Sequence, residues 1–116
     1  MASNKTIKAL EEQVKRLQQD LKELTAKLKV PQDETDRIYF WLGRAVQKKR
    51  TERGIQQEHL ADVIGMRRTS IANIEAGKQR APIHIWMQLC QHLNISFSDL
   101  IEHANALADD WAEAHE

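Results

Sequence analysis

Between Gly65 and Gly77 the sequence carries four polar side chains and one alanine at the positions that helical periodicity leaves facing outward. These residues are Arg67, Arg68, Thr69, Ala72 and Asn73. Arginine can donate two hydrogen bonds to O6 and N7 of guanine, and asparagine can bond to N6 and N7 of adenine. The methyl groups of threonine and alanine can contact the methyl group of thymine. A helix that presents this set could distinguish base pairs from the major groove of DNA.

The segment from Gly54 to Lys78 has the pattern of two short helices that would hold this polar face in place. A turn at Gly65 and a helix end at Gly77 fit positions where the chain needs a left-handed residue. The apolar residues that fall on one face of the two helices are Ile55, Leu60, Ala61, Ile64, Ile71 and Ile74. The pattern therefore predicts a helix, a tight turn and a second helix with an exposed polar surface.

Over about Asp36 to Ile101 the chain resembles the phage-repressor, Cro and XRE family of helix-turn-helix regulators. The residues that carry the resemblance are Arg50, Gln57, Leu60, Ala61, Gly65, Ile71, Ile74, Glu75, Gly77, Leu89, Leu93, Ser96 and Leu100. The resemblance implies a compact five-helix, lambda-repressor-like domain. Together with the segment in front of it, it predicts an all-α protein in which an N-terminal coiled-coil helix precedes that domain.

The resemblance also implies roles for individual residues of this chain. The residues at positions that reach base edges in the family are Arg68, Thr69, Ala72 and Asn73. The residues assigned to phosphate contact are Gln57, Arg67, Ser70, Lys78 and Arg80. Arg50 and Glu75 are expected to form a structural ion pair, not a DNA contact.

The chain departs from the family's pattern at the start of the two motif helices. Gln56 stands where a capping threonine or serine is usual, and His59 replaces the usual capping-box glutamate. Arg67 likewise replaces a small capping residue. The loss of a good side-chain cap costs a helix about 1 kcal/mol, so we expect a less firm start for the first motif helix.

The distribution of charge isolates a basic region in a chain that is neutral overall. The whole sequence has 17 lysines and arginines against 17 aspartates and glutamates. Residues 37–81 contain ten basic and four acidic residues, whereas residues 82–116 contain six acidic residues and no lysine or arginine. The central third therefore has the basic character that phosphate binding requires, and the acidic C-terminal part conceals it in the total.

A heptad repeat precedes this region. Its a and d positions are all apolar: Ile7, Leu10, Val14, Leu17, Leu21, Leu24 and Leu28. A strict 3.5-residue period favours another helix as the partner, and β-branched residues at the first two a positions favour a parallel dimer. A trimer, a tetramer or packing of the helix on its own domain remain alternatives.

The predicted organisation has four parts. Residues 1–30 form a coiled-coil oligomerisation helix, 31–35 a linker, 36–101 the helix-turn-helix domain, and 102–116 an acidic C-terminal helix or tail. The residues expected in the core of the first domain helix are Ile38, Phe40, Trp41, Leu42, Ala45 and Val46. Those expected to line the buried side of a later helix are Ile83, Ile85 or Trp86, Leu89, Cys90 and Leu93.

Several classes of function lack a signal in the sequence. The five histidines and the single cysteine, Cys90, show no metal-binding spacing, and there is no P-loop, GxGxxG motif or nucleophile with a plausible base. We therefore expect no metal, no cofactor and no enzymatic activity. The lone cysteine, and the lack of a membrane span or a signal-peptide pattern, indicate a cytoplasmic protein.

Together these features predict a sequence-specific DNA-binding transcriptional regulator, with repression as the expected effect. It would bind double-stranded DNA as a coiled-coil homodimer on a two-fold symmetric operator. The alternative is an antitoxin or adaptor whose coil or acidic tail binds a protein partner and whose helix-turn-helix serves autoregulation. Structural use of the fold without DNA binding is disfavoured by the basic, polar outer face.

Overall fold

The structure, a computed structural model, describes residues 4–26 and 29–115, with side chains described at 4–20 and 29–115. The regular elements of these residues are all helices, as the sequence predicts. They are α1 (Asn4–Ala26), α2 (Glu34–Glu52), α3 (Gln57–Ile64), α4 (Arg68–Glu75), α5 (Ile83–His92) and α6 (Phe97–Ala114). Helices α2 to α6 are the five helices expected for the domain. No helix in the described ranges is both long enough and apolar enough to cross a membrane.

The chain divides into two compact units, one with α1 and the chain from Trp111 onward, the other with residues 30–110.

α2 begins at Glu34, two residues before the predicted start of the domain. The Asp33 side chain caps this helix by accepting a 3.0 Å hydrogen bond from the Asp36 N–H. α6 runs unbroken from Phe97 to Ala114. The acidic segment from residue 102 is therefore a continuation of the last helix, without a boundary at residue 101.

In the first unit, α1 carries the apolar heptad stripe on its surface. The described side chains of the stripe, Ile7, Leu10, Val14 and Leu17, are 45% to 63% exposed. The predicted coil residues Leu21 and Leu24 fall where no side chains are described, and Leu28 lies outside the described residues. The described part of the stripe is therefore uncovered in the single chain.

The core of the second unit is built from side chains of all five helices, α2 to α6. Its buried side chains include Phe40, Trp41, Leu42, Ala45, Val46, Leu60, Ile71, Ile74, Trp86, Leu89, Cys90, Leu93 and Leu100. Burial raises the pKa of the Cys90 thiol, as expected for a cysteine with a packing role. At the start of α6 the Ser96 hydroxyl accepts a 3.0 Å hydrogen bond from the Asp99 N–H and so caps the helix.

Two expected core residues are instead on the surface. Ile38 is 54% exposed and Ile83 is 62% exposed. Each lies near the start of its helix, one turn before buried residues of the same face, Leu42 in α2 and Trp86 in α5. Buried residues of the same face follow in both helices, but near the helix start this face is not covered.

A glycine inside α2 allows that helix to touch the end of α4. A Cβ at Gly43 would lie 2.1 Å from the Ile74 carbonyl oxygen and 3.0 Å from that of Glu75. The two backbones are therefore in direct contact, and sequence periodicity alone gave no indication of it.

Replacement of Gly43 by alanine tests this contact. Helix propensity alone predicts that Gly43→Ala stabilises α2 by about 1 kcal/mol. The close approach of α4 reverses the sign, and we expect a loss of about 2 kcal/mol because the helices must separate. The measurement is urea unfolding followed by circular dichroism. Gly54→Ala, a site with positive φ but open space around it, is the control for backbone strain. Unchanged or increased stability of Gly43→Ala contradicts the contact.

Candidate nucleic-acid interface

Helices α3 and α4 form the predicted helix-turn-helix. α3 ends at Gly65, whose φ of 78° places it in the left-handed region, and the Met66 N–H donates to the Ala61 carbonyl oxygen at 2.9 Å. Arg67, in an extended conformation, then leads into α4. Neither Gln56 nor Arg67 provides a side-chain cap, in agreement with the departures seen in the sequence. The buried side chains Leu60 and Ile71 belong to the two helices that this turn joins.

The outer face of α4 carries the polar residues singled out by the sequence. Arg68, Thr69 and Asn73 are exposed, and Ala72 is half-buried. Positions three and four residues apart lie on the same side of a helix, so Thr69 shares a face with Ala72 and Asn73. Of the residues assigned to phosphate, Arg67 is exposed and Ser70 is half-buried at the flank of the same helix. One helix face therefore offers a guanidinium, a hydroxyl, a methyl and an amide to solvent.

Beneath this face lies a buried ion pair between the ends of α2 and α4. Arg50 Nε donates to Glu75 Oε2 at 2.7 Å, and Arg50 Nη2 donates to Glu75 Oε1 at 3.1 Å. Arg50 Nη1 donates to the Ile55 carbonyl oxygen at 2.8 Å. Arg50 is 8% exposed and Glu75 is 2% exposed. All three nitrogens of the guanidinium group thus have acceptors, which is what a charge at this depth requires.

Gln57 connects the ion pair to the surface, a link that sequence analysis missed. Its Nε2 donates to Glu75 Oε1 at 2.8 Å, and its Oε1 accepts from Arg68 Nη1 at 3.4 Å. We call Arg50, Glu75, Gln57 and Arg68 the polar relay. The resemblance assigned Gln57 to phosphate contact, whereas its amide here lies between Glu75 and Arg68. The sequence pattern gives no signal for this link, because it joins α3 to residues of α4 that are 11 and 18 positions away in the chain.

The two basic residues of the loop after α4 differ in their surroundings. Lys78 is exposed, and its backbone N–H donates to the Asn73 carbonyl oxygen at 2.9 Å. Arg80 forms an ion pair with Asp36, and its guanidinium lies 5.3 Å from the centre of the Tyr39 ring. The hydrogen bond to Asp36 raises the pKa of Arg80 further above its ordinary value. Arg80 is therefore held against the start of α2, although more than half of its side chain stays exposed.

The described residues bring together no group of three or more histidine, cysteine, aspartate or glutamate side chains that could hold a metal ion. The polar face of α4 brings together hydrogen-bond donors, acceptors and methyl groups of the kinds that can contact base edges.

Comparisons with known proteins support the helix-turn-helix fold of this domain. Residues 46–100 match the profile of the helix-turn-helix family. Two solved structures of the clp gene regulator ClgR from Corynebacterium glutamicum share the fold, one with a TM-score of 0.60 at 20% identity over 67% of this chain and 96% of that chain. The other has a TM-score of 0.58 at 21% identity, over 66% of this chain and 87% of that chain. Comparison with curated proteins gave no match.

Removal of one partner of the buried pair tests its structural role. Glu75→Ala leaves the Arg50 charge buried without its opposite charge, and we expect a loss of about 3–5 kcal/mol in the free energy of unfolding. The double variant Arg50→Met with Glu75→Leu should lose much less, because no charge is then buried. Denaturant unfolding measures both.

The matched control is Glu52→Ala. Glu52 forms a 3.4 Å ion pair with Lys49 and is the more exposed of the two residues. That pair should contribute at most about 1 kcal/mol. If Glu75→Ala is no more destabilising than Glu52→Ala, the buried pair does not hold α4 in place.

Proposed function

We propose that this protein is a regulator similar to the XRE and lambda-repressor-like DNA-binding proteins, and that it reads a specific DNA sequence and represses transcription there. The match of residues 46–100 to the helix-turn-helix family supports this proposal. In this proposal the protein binds a two-fold symmetric operator as a coiled-coil homodimer. The observation that carries the proposal is the exposed polar face of α4, presented by the turn at Gly65.

The side chains on α4 suit contact with bases more than a purely structural role. Arg68 stands in the first turn, and helix-turn-helix proteins contact base edges mainly with the N-terminal part of this helix. Thr69, Ala72 and Asn73 follow on adjacent positions of the outer side. A bidentate contact from arginine or asparagine supplies about 1–3 kcal/mol of discrimination against the wrong base. Two such residues on one short helix therefore give a useful degree of sequence preference.

Contacts to phosphate fix the register of the helix on the duplex. Arg67 and Ser70 flank the polar face, and Lys78 is exposed in the loop that follows α4. Arg80 is already paired with Asp36. A phosphate must either displace Asp36 or share the guanidinium group with it, so we assign Arg80 a smaller share of the binding energy. Basic residues outnumber acidic ones by ten to four over residues 37–81, which favours approach to a polyanion.

The apolar stripe of α1 supports association with a second copy. Isolated helices are marginal in water, and a helix whose heptad stripe is about half exposed gains stability when an identical stripe covers it. A parallel two-stranded coil has a two-fold axis, and so does a palindromic operator. Half-sites one helical turn apart, about 34–36 Å, or a multiple of this spacing would match such a dimer.

Arg68 and Lys78 give a test that separates base contact from phosphate contact. Selection from a random DNA pool should enrich a two-fold symmetric motif. Arg68→Ala should then relax the preference at one base pair per half-site, with little change in affinity for random DNA. Lys78→Ala should weaken binding to all sequences equally and reduce the salt dependence by about one unit of slope per protomer.

The measurement is fluorescence anisotropy on the selected duplex and on random duplexes at several salt concentrations. An equal loss on both kinds of DNA for Arg68→Ala refutes its assignment to a base. If the wild-type protein enriches no motif, the proposal of sequence-specific binding fails, and the adaptor or antitoxin alternative takes its place.

A charge in the heptad stripe tests the dimer. We expect the wild-type protein to have twice the mass of one chain. Leu17→Glu should reduce this to the mass of one chain, because the dimer would bury a charge without a partner. The control is Ala9→Glu, which places the same charge at an exposed position outside the a and d series. Light scattering after size exclusion gives the mass. The coiled-coil dimer is contradicted if the wild-type protein is a monomer or if the Leu17→Glu variant stays dimeric. A wild-type particle of three or four times the chain mass would instead indicate a trimer or a tetramer.

A further inference from the structure

We propose that Asp36 is an intramolecular competitor for DNA phosphate: its carboxylate occupies Arg80 in the free protein and keeps this arginine from contacting the duplex. The inference rests on the proposed function in one respect, namely that DNA approaches the loop after α4. It gives Asp36 a regulatory role, because the contribution of Arg80 to binding then depends on whether the contact with Asp36 is broken.

Two side chains of α2 hold the guanidinium group of Arg80. Its Nη2 donates to Oδ1 of Asp36, and its central carbon lies 5.3 Å from the centre of the Tyr39 ring. Asp36 and Tyr39 are three residues apart, so they lie on the same side of α2. The Tyr39 ring in turn lies beside the Trp86 ring of α5, with the ring centres 6.4 Å apart. The end of the Arg80 side chain is therefore held against α2.

The surroundings of Arg80 are acidic. The residues from Asp33 to Asp36 include three carboxylates, with Glu34 as the third. The hydrogen bond to Asp36 raises the pKa of Arg80, and the charges of Asp36 and Asp33 act in the same direction. A phosphate that approaches Arg80 must come close to these carboxylates, and like charges repel most strongly at short range. The start of α2 thus satisfies Arg80 and also opposes the anion that would replace Asp36.

Lys78, two residues earlier in the same loop, has different surroundings. Its side chain is exposed, and in the ranges that the structure describes no carboxylate forms an ion pair with it. Lys78 can therefore contact phosphate without giving up a partner, whereas Arg80 must first leave Asp36. Two basic residues that look equivalent in the sequence then make unequal contributions to DNA binding.

A competitor and a structural tie predict opposite effects when Asp36 is removed. If the ion pair only keeps the loop in shape, its loss disorders the loop around Lys78 and weakens DNA binding. If Asp36 competes with phosphate, its loss frees Arg80 and strengthens binding. The gain should be the same on every DNA sequence, because contacts to phosphate carry no information about the bases.

The first experiment measures the affinity of Asp36→Ala for a random-sequence duplex by fluorescence anisotropy at several salt concentrations. Affinity should rise about 3-fold per protomer, which is the scale of an exposed ion pair. The salt dependence should steepen by about one unit of slope per protomer, because the freed Arg80 releases a further counterion from the DNA. Unchanged or lower affinity overturns the proposal.

The matched control is Glu34→Ala, which removes the same charge from the same turn of α2. Glu34 is exposed, and the carboxylate paired with Arg80 is that of Asp36. Because salt screens an exposed charge that makes no direct contact, Glu34→Ala should change affinity by less than about 1.5-fold and leave the slope unaltered. Circular dichroism and thermal unfolding check that each variant folds.

A double variant separates competition from a general effect of charge. In the Arg80→Gln background, Asp36→Ala should no longer raise the affinity, because the arginine that it frees is absent. If the gain persists in that background, or if Glu34→Ala gives a gain of the same size, net charge accounts for the effect and the proposal is overturned.

The second experiment needs no DNA and so separates this proposal from the proposed function. Nitrogen-15 relaxation at Arg80 Nε of the free full-length chain reports how ordered the guanidinium group is. Asp36→Ala should raise its mobility, and Glu34→Ala should leave it unchanged. If wild-type Arg80 is already as mobile as in Asp36→Ala, Asp36 does not occupy it and the proposal fails, whatever the result with DNA. If the wild-type protein selects no motif but Asp36→Ala binds random DNA more tightly, sequence-specific binding fails while the competition stands.

Discussion

Arg50 and Glu75 join the end of α2 to the end of α4 through a buried two-point ion pair, and the presentation of the polar face depends on it. Two charges removed from water are costly unless each finds its full set of partners. The third nitrogen of Arg50 is satisfied by Ile55 and the second lone pair of Glu75 Oε1 by Gln57. Any movement of α4 away from α2 would break these contacts together, so the ion pair fixes the position of α4 more than it adds net stability.

The length of α4 explains why this anchoring is needed. An eight-residue helix is unstable by itself in water, and neither of the two motif helices has a side-chain cap. α4 is instead held by tertiary contacts, with Ile71 and Ile74 in the core and the backbone of its last turn against Gly43. Because the packing contacts that hold α4 lie on its inner side, the exposed side chains of Thr69 and Asn73 are not needed to hold the helix in place. Their identities can then specify which DNA sequence is bound.

Much of this arrangement is predictable from local pattern. The period of apolar residues, the left-handed glycine at Gly65 and the capping serine at Ser96 identify helices and turns, because the physics that sets them acts within a few residues. The exposure of Ile38 and Ile83 cannot be predicted in this way, because periodicity gives the face of a helix but not the extent of the element that covers it. The sequence also did not reveal the unbroken course of α6.

The parts of the candidate site that sequence analysis missed all join residues distant in the chain. Gln57 lies 18 residues from Glu75 and 11 from Arg68, and Arg80 lies 44 residues from Asp36. Gly43 carries no signal for its contact with α4, because a glycine within a helix is equally compatible with open space. Such contacts become visible only when the helices are assembled, and they are the ones that decide how the surface side chains are held.

If α4 presents its outer face to DNA, an NMR titration of the nitrogen-15-labelled full chain with a selected duplex will locate the contact at single residues. The largest backbone amide shifts should then occur from Arg67 to Asn73 and at Lys78, with small shifts in α6. Saturable binding whose shifts concentrate in α5 or α6 and spare α4 would contradict it.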